Sequence, residues 1–211
     1  MKIKVCGMRD AENIRQLAET GIDYMGLIFY PASPRHVAEC PKFLPDMSSG
    51  IKLTGVFVDA PIEVIMEKAA EYSLSAVQLH GGESPDFCKR VGRETGAKVI
   101  KALHISSAAD IAGGKAYAGC CDFLLLDTAC NGYGGSGNRF DWGILDAYDL
   151  EVPFFLSGGI DLSCAGRIAA LKCPKMAGVD INSRFETAPG IKDIESIKLF
   201  INRINGKWYF M

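Results

Sequence analysis

Histidine, surplus charge and paired cysteines are what this chain has least of, and each shortage closes off a class of function. His36, His80 and His104 are scattered along the sequence without metal-ligand spacing. The eight cysteines, at 6, 40, 88, 120, 121, 130, 164 and 173, contain no Cys-x-x-Cys pair. Most of them read as small buried hydrophobes in a reducing compartment rather than as disulfide partners, with Cys6 set apart by its position. A formal net charge of -2 offers no basic face, so no nucleic-acid partner is expected. An anionic substrate stays open, because backbone N–H groups hold a phosphate whatever the global charge. No apolar stretch is long enough to span a bilayer, and the opening MKIKVCGMRD has no signal-peptide core. The expectation is a soluble, cytoplasmic protein with no membrane partner.

There is also no break in composition and no low-complexity linker. With 211 residues, 48% of them hydrophobic and 23% charged, the chain suits one globular domain over residues 1–211. What it does contain is one alternation repeated eight times: a short β-branched run, then an amphipathic stretch. The strand candidates are IKVCGM (3–8), YMGLIFY (24–30), LTGVFVD (53–59) and AVQLHG (76–81). KVIKALH (98–104), DFLLLDT (122–128), PFFLSGG (153–159) and GVDIN (178–182) complete them.

Between the strands lie helical patterns. DAENIRQLAETG has Asp10 to cap its start and Gly21 its end, and PIEVIMEKAAEYS has Pro61 suited to a first turn. SPDFCKRVGRETG, FDWGILDAY and DIESIKLFINRI follow later strands. SPRHVAECPKFLPDMSSG, broken by three prolines, is the weakest helix. Strict alternation implies right-handed parallel crossovers, and eight units predict an α/β, single-domain (β/α)8 TIM barrel.

Chemistry in such barrels sits at the C-terminal ends of the strands. Those ends present Cys6, Arg35 just past the second strand, Asp59, His80 and Asp127. The seventh and eighth end in Ser157-Gly158-Gly159 and Asp180-Ile181-Asn182-Ser183-Arg184, a pairing that fits a phosphate site, since glycine lets N–H groups approach closely. The long glycine-rich loop 130–139 after the sixth strand reads as a mobile connection and as a lid or anion-binding loop, two compatible roles. The bound molecule is therefore expected to be small and phosphorylated.

The ordered motifs KVCGMR (4–9), GLIFYPASPRHV (26–37), GVFVD (55–59), VQLHGGES (77–84), LLLD (124–127), GGSGNRFDW (134–142), LSGGI (156–160) and GVDINSRFETAPGIKD (178–193) resemble, end to end, the phosphoribosylanthranilate isomerases of tryptophan biosynthesis. The resemblance implies an Amadori rearrangement without metal, nucleotide or flavin. It makes Cys6 the general base and Asp127 the general acid, Arg35 the contact to the anthranilate carboxylate and Asp180 a contact to sugar hydroxyls. His80 is either a supporting contact or a structural histidine. Gly135, Ser136, Gly158, Gly159, Asn182 and Ser183 are the phosphate-cradle candidates.

The assigned roles carry demands of their own. Cys6 needs a field that favours the thiolate, to which phosphate-binding dipoles and Arg35 would contribute, and Asp127 needs surroundings that keep its proton. Asn-Ser-Arg after the eighth strand departs from the Ser-Ser-Gly of many relatives, so Arg184 either adds charge near the phosphate or points away. The aromatic tail Trp208-Tyr209-Phe210 suits the barrel base or a partner surface, and both a monomer and a homodimer stay open.

Competing chemistries lack their residues. An indole-3-glycerol-phosphate synthase needs lysine and glutamate at strand ends, and no lysine ends a strand; an aldolase-type barrel needs a Schiff-base lysine, and nothing around Lys101, inside the fifth strand, marks it as one. A metal-dependent epimerase needs paired His and Asp ligands, and three isolated histidines fit poorly. A non-catalytic phosphate-binding barrel needs neither Cys6 nor Asp127.

Overall fold

The computed structural model describes residues 1–128 and 141–206. The strands β1 (Lys2–Val5), β2 (Tyr24–Ile28), β3 (Lys52–Phe57) and β4 (Ala76–Leu79) are followed by β5 (Lys98–Ile105), β6 (Phe123–Thr128), β7 (Phe154–Leu156) and β8 (Met176–Ile181). All eight pair in parallel in chain order, and β8 closes on β1 with Lys4 opposite Asp180 and Val5 opposite Ile181. The (β/α)8 barrel expected from the alternation is present.

Outside the barrel run α1 (Ala11–Ala18), α2 (Ile62–Glu71), α3 (Pro85–Thr95), α4 (Ala108–Gly113), α5 (Ala165–Ala170) and α6 (Ile194–Ile204). Asp10 caps α1 as expected, accepting from the Asn13 N–H at 2.8 Å. Gly21 does not end that helix: α1 stops at Ala18, and Gly21, at φ +82°, turns the chain three residues later. Pro61 precedes α2 at the cap position instead of occupying its first turn.

Among the described residues, two connections show no α-helix. After β2 the three prolines leave one 3-10 turn at Met47–Ser49, and after β6 the expected helix is a 3-10 segment, Trp142–Ala147. A short hairpin, β9 (Glu186–Ala188) with β10 (Ile191–Lys192), lies between β8 and α6. β7 ends at Leu156, three residues before its expected end, because Gly158 and Gly159 both take positive φ.

Two apolar layers hold this arrangement. The larger lies between strands and helices and includes Ile14, Leu17, Ile65, Val91, Ile168 and Phe200, each at most 1% exposed. The smaller fills the barrel's interior with Tyr24, Ala76, Ile100, Ala102, Phe123, Leu125 and Phe155. Lys2 and Lys52 lie over the Tyr24 ring, and Lys2 also over Phe123, their ammonium groups meeting the ring faces.

The seven described cysteines are free thiols; Cys88 and Cys164 are buried as expected, but Cys40 is exposed. Among the described residues no helix is long and apolar enough to cross a membrane. Cys130, Gly135, Ser136, the rest of loop 130–139 and the tail Trp208-Tyr209-Phe210 lie outside the described residues.

Candidate active site

A strand's side chains alternate in direction, so a residue two places beyond an inward one points inward again. Ala102 of β5 is in the barrel's interior, and His104 follows it; Leu125 of β6 is there, and Asp127 follows. The same step runs from Lys4 to Cys6 and from Gln78 to His80. Apolar residues thus fill the lower barrel, and the next inward positions are polar. Cys6, His80 and Asp127 line an open cavity of about 820 Å³, including the solvent at its mouth, and His104 stands outside that lining.

Cys6, Asp127, His80, Arg35 and Asp180 all border this one cavity. Gly158, Gly159, Asn182 and Ser183 border it too, and Arg184 stands beside them, so it lines the site and does not point away. Asp59 does not. At φ +47° it turns back and its Oδ1 accepts from the Gly82 N–H at 2.7 Å, bracing the turn after β4.

Cys6 follows β1 and is buried, its N–H donating to the Ile181 carbonyl at 3.0 Å. Gly26 makes room for it: a Cβ there would lie 2.8 Å from the Cys6 Sγ. Burial pushes the Cys6 thiol up, and Asp180 adds to this; the ammonium groups of Lys4 and Lys192 act the other way without cancelling it. The expected thiolate-favouring field is therefore outweighed by burial, and its cations are Lys4 and Lys192, not Arg35.

Lys4 and Asp180 form a buried pair, Nζ to Oδ1 2.9 Å, with 0% and 6% side-chain exposure. Burial works against the Lys4 charge, but Asp180 and Cys6 outweigh it and raise the ammonium's pKa. Burial also raises the carboxyl of Asp180, against the pull of Lys4. Sequence reasoning missed Lys4 as a site residue; its signal was a lysine two residues before Cys6, set between Ile3 and Val5.

Asp127 ends β6 next to last, with Oδ1 accepting from the Thr128 N–H at 3.0 Å and Oδ2 3.3 Å from His80 Nε2. The other nitrogen of His80, Nδ1, is 2.8 Å from the Gln78 carboxamide, so the ring is held from both sides. His80 is thus a contact of the candidate acid. His104 lies against it, ring centroids 5.6 Å apart, with its imidazole pKa lowered by partial burial and by His80. Two of the three histidines that are scattered in sequence meet in space.

Arg35 is already engaged. Its Nε donates to both carboxylate oxygens of Glu186 (2.9 and 3.1 Å) and its Nη2 to Oε2 at 2.7 Å. Glu186 also accepts from Lys192 Nζ at 2.6 Å, and these two cations hold its carboxyl below the usual range despite burial. Lys192 Nζ donates in addition to Asn182 Oδ1 at 2.6 Å, fixing the loop after β8. Glu186 and Lys192 were not legible as site residues, since both come from the hairpin; Glu186 meets Arg35 across 151 positions of sequence, and Lys192 joins through Glu186.

The turn after β7 requires glycine. Gly158 has φ +87°, and a Cβ there would run into Thr128 of the neighbouring strand. Lys101, by contrast, is committed elsewhere. Its Nζ donates to Glu83 (2.8 Å) and to the carbonyls of Gly81 (2.6 Å) and Leu79 (3.2 Å), which uses its three protons outside the cavity.

Residues 3–203 match the family model described as N-(5'phosphoribosyl)anthranilate (PRA) isomerase. An N-(5'-phosphoribosyl)anthranilate isomerase of Phocaeicola vulgatus is 45% identical over 98% of this chain and 99% of its own. The phosphoribosyl anthranilate isomerase structure from Thermotoga maritima superposes with a TM-score of 0.80 at 32% identity, covering 98% and 99% of the two chains. Another isomerase structure, in complex with reduced 1-(o-carboxyphenylamino)-1-deoxyribulose 5-phosphate, superposes with a TM-score of 0.76 at 30% identity, again over 98% and 99%. With its barrel closed, its strand-end residues gathered in one cavity and its match running nearly end to end, the chain belongs to the N-(5'-phosphoribosyl)anthranilate isomerase family.

Proposed function

We propose that this cavity isomerises N-(5'-phosphoribosyl)anthranilate to 1-(2-carboxyphenylamino)-1-deoxyribulose 5-phosphate in tryptophan biosynthesis, with Asp127 as general acid and Cys6 as general base. One observation carries the assignment. Asp127 comes from β6 and Cys6 from β1, and the two strands between them, β7 and β8, end in the turns that suit a phosphate. A substrate anchored by its phosphate at Gly158-Gly159 and Asn182-Ser183 therefore lies with one candidate group on either side. Gly135 and Ser136 complete the cradle in this reading.

Asp127 gives its proton to the furanose oxygen as the C1–O bond breaks and the anilino nitrogen's lone pair forms C1=N. The Cys6 thiolate takes the C2 proton. The C2–H electrons form C1=C2, and those of C1=N return to nitrogen. The enolamine then tautomerises, gaining a proton at C1 as C2 becomes the ketone. C1 is reduced and C2 oxidised, so electrons balance within the substrate and no cofactor enters any step. Arg35 takes the anthranilate carboxylate, a planar anion suited to its fork, and Asp180 a sugar hydroxyl while Lys4 holds its Oδ1.

We read the whole chain as one domain acting on this small phosphorylated substrate in the cytoplasm, as a monomer or homodimer, without nucleic acid or membrane. The free thiols support a reducing compartment.

The test follows anthranilate fluorescence as freshly made substrate is consumed, with chelator present. Wild type should outpace spontaneous decay, and Cys6→Ala and Asp127→Asn should each lose at least about a hundredfold in turnover. A fully active Cys6→Ala removes the base assignment alone. An inert, well-folded wild type removes the isomerase reading and leaves a phosphate-binding barrel.

A further inference from the structure

The contact between His80, His104 and Asp127 goes beyond what the rearrangement requires. In the parallel ladder of β5 and β6, His104 and Asp127 are direct register partners, so their side chains rise from adjacent strands to the same side and the same level. His80, just past the end of β4, meets both. Its Nε2 is 3.3 Å from Asp127 Oδ2, and its ring centroid is 5.6 Å from that of His104. One donor atom from each residue falls within 4.8 Å of the other two.

We propose that His80, His104 and Asp127 form a site for a divalent transition-metal ion of the zinc type, and that its occupancy inhibits the enzyme. Two imidazoles and one carboxylate are the borderline nitrogen–oxygen set that suits Zn²⁺ and not Mg²⁺ or Ca²⁺. Metal–ligand bonds of about 2.0–2.2 Å in a tetrahedron place donor atoms roughly 3.3–3.6 Å apart. The His80–Asp127 pair is at that separation already. The exposed His104 closes the remainder by a small rotation about its side-chain bonds, in exchange for the contacts it now makes.

Three protein ligands leave a fourth position for water. The surroundings also supply an outer partner for a ligand. Gln78, 1% exposed, is 2.8 Å from His80 Nδ1, and its Oε1 is buried without a hydrogen-bond partner. With that oxygen turned to Nδ1–H, the carboxamide orients the ring and leaves the Nε2 lone pair for the metal.

Inhibition follows from the identity of the third ligand. A carboxylate coordinated to a cation has no proton to give the furanose oxygen, so this half of the proposal rests on Asp127 being the general acid; the binding half does not.

The test uses the chelator-washed, full-length protein, with Zn²⁺ titrated calorimetrically and Co²⁺ followed by its visible absorption. Turnover is measured in parallel. Expected are stoichiometric binding, cobalt d–d bands without a thiolate charge-transfer band, and loss of turnover that excess chelator reverses. His104→Ala and His104→Gln, which leave the acid and base in place, should turn over normally without metal. Each should need at least about tenfold more zinc for half-inhibition. Cys6→Ala should bind zinc as wild type does. Equal zinc sensitivity in both His104 variants, or binding lost in Cys6→Ala, overturns the site and places the metal on the thiol. Zinc held through His104 with turnover unchanged overturns the inhibitory role: a dead Asp127→Asn then shows that Asp127 is not a ligand, and an active one that it is not the acid.

Discussion

Replacing Lys4 by methionine isolates the pair that closes the barrel. At 2.9 Å, with an effective dielectric of about 20, the gross attraction between Lys4 and Asp180 is about 6 kcal/mol. Desolvating each ion costs several kcal/mol, so the intact pair contributes little net stability. Removing one partner is different, since it leaves the other charge buried and unmatched, at about 3–5 kcal/mol. Lys4→Met and Asp180→Asn should each lose that much in urea unfolding, while the double variant loses less than the sum by about 2 kcal/mol or more.

The deficit of Lys4→Met should depend on pH in a stated direction. Burial raises the Asp180 carboxyl in the folded state, and without Lys4 the main opposing pull is gone. A raised acid stabilises the fold below its unfolded pKa and loses that contribution as pH rises through the folded value. The deficit should therefore be largest at neutral and alkaline pH and shrink on acidification toward the unfolded carboxyl's pKa of about 3.9, because the buried Asp180 takes up its proton above that pH. Losses of the two single variants that add to within about 0.5 kcal/mol, or a deficit that grows on acidification, would refute the reasoning.

Three further outcomes are expected. Because burial pushes the Cys6 thiol up, kcat/KM should rise with pH through neutrality into the alkaline range, and in Lys4→Met that limb should move higher still; a flat profile between pH 6 and 9 would remove the thiolate from the rate expression. Arg35→Lys keeps the charge but not the fork, so KM should rise about tenfold, or about 1.4 kcal/mol, with kcat changing less; an unchanged KM would mean that Glu186 keeps Arg35 from the substrate. Gly158→Ala forces a Cβ onto Thr128 at positive φ, and should lose about 1–3 kcal/mol in urea unfolding while raising the inhibition constant of inorganic phosphate; normal stability and phosphate affinity would show that the turn is not the cradle.

Much of this molecule is written locally. Apolar periodicity places the strands, Asp10 announces α1, and the prolines between Pro34 and Pro45 forbid a regular helix after β2. Strand alternation even foretells which residues face the cavity, because Cys6, His80 and Asp127 each stand at or just past a strand's C-terminal end. The 3-10 segment at Trp142–Ala147 was not legible as such, since apolar spacing over six residues suits either helix type.

The sequence by itself thus determined the order of the elements, the barrel, and the strand-end positions of the acid and base candidates, because backbone geometry couples direction to position within a few residues. It was silent on partners. Lys4 finds Asp180 across 176 positions only when β8 docks on β1, and Arg35 finds Glu186 across 151 through the hairpin after β8. His80 and His104, isolated in sequence, become neighbours because parallel pairing aligns β4, β5 and β6 in one register. Periodicity says which way a side chain faces. Closure of the sheet decides what it faces, and that is where the Cys6 field, the hold on Arg35 and the His80–His104–Asp127 cluster come from.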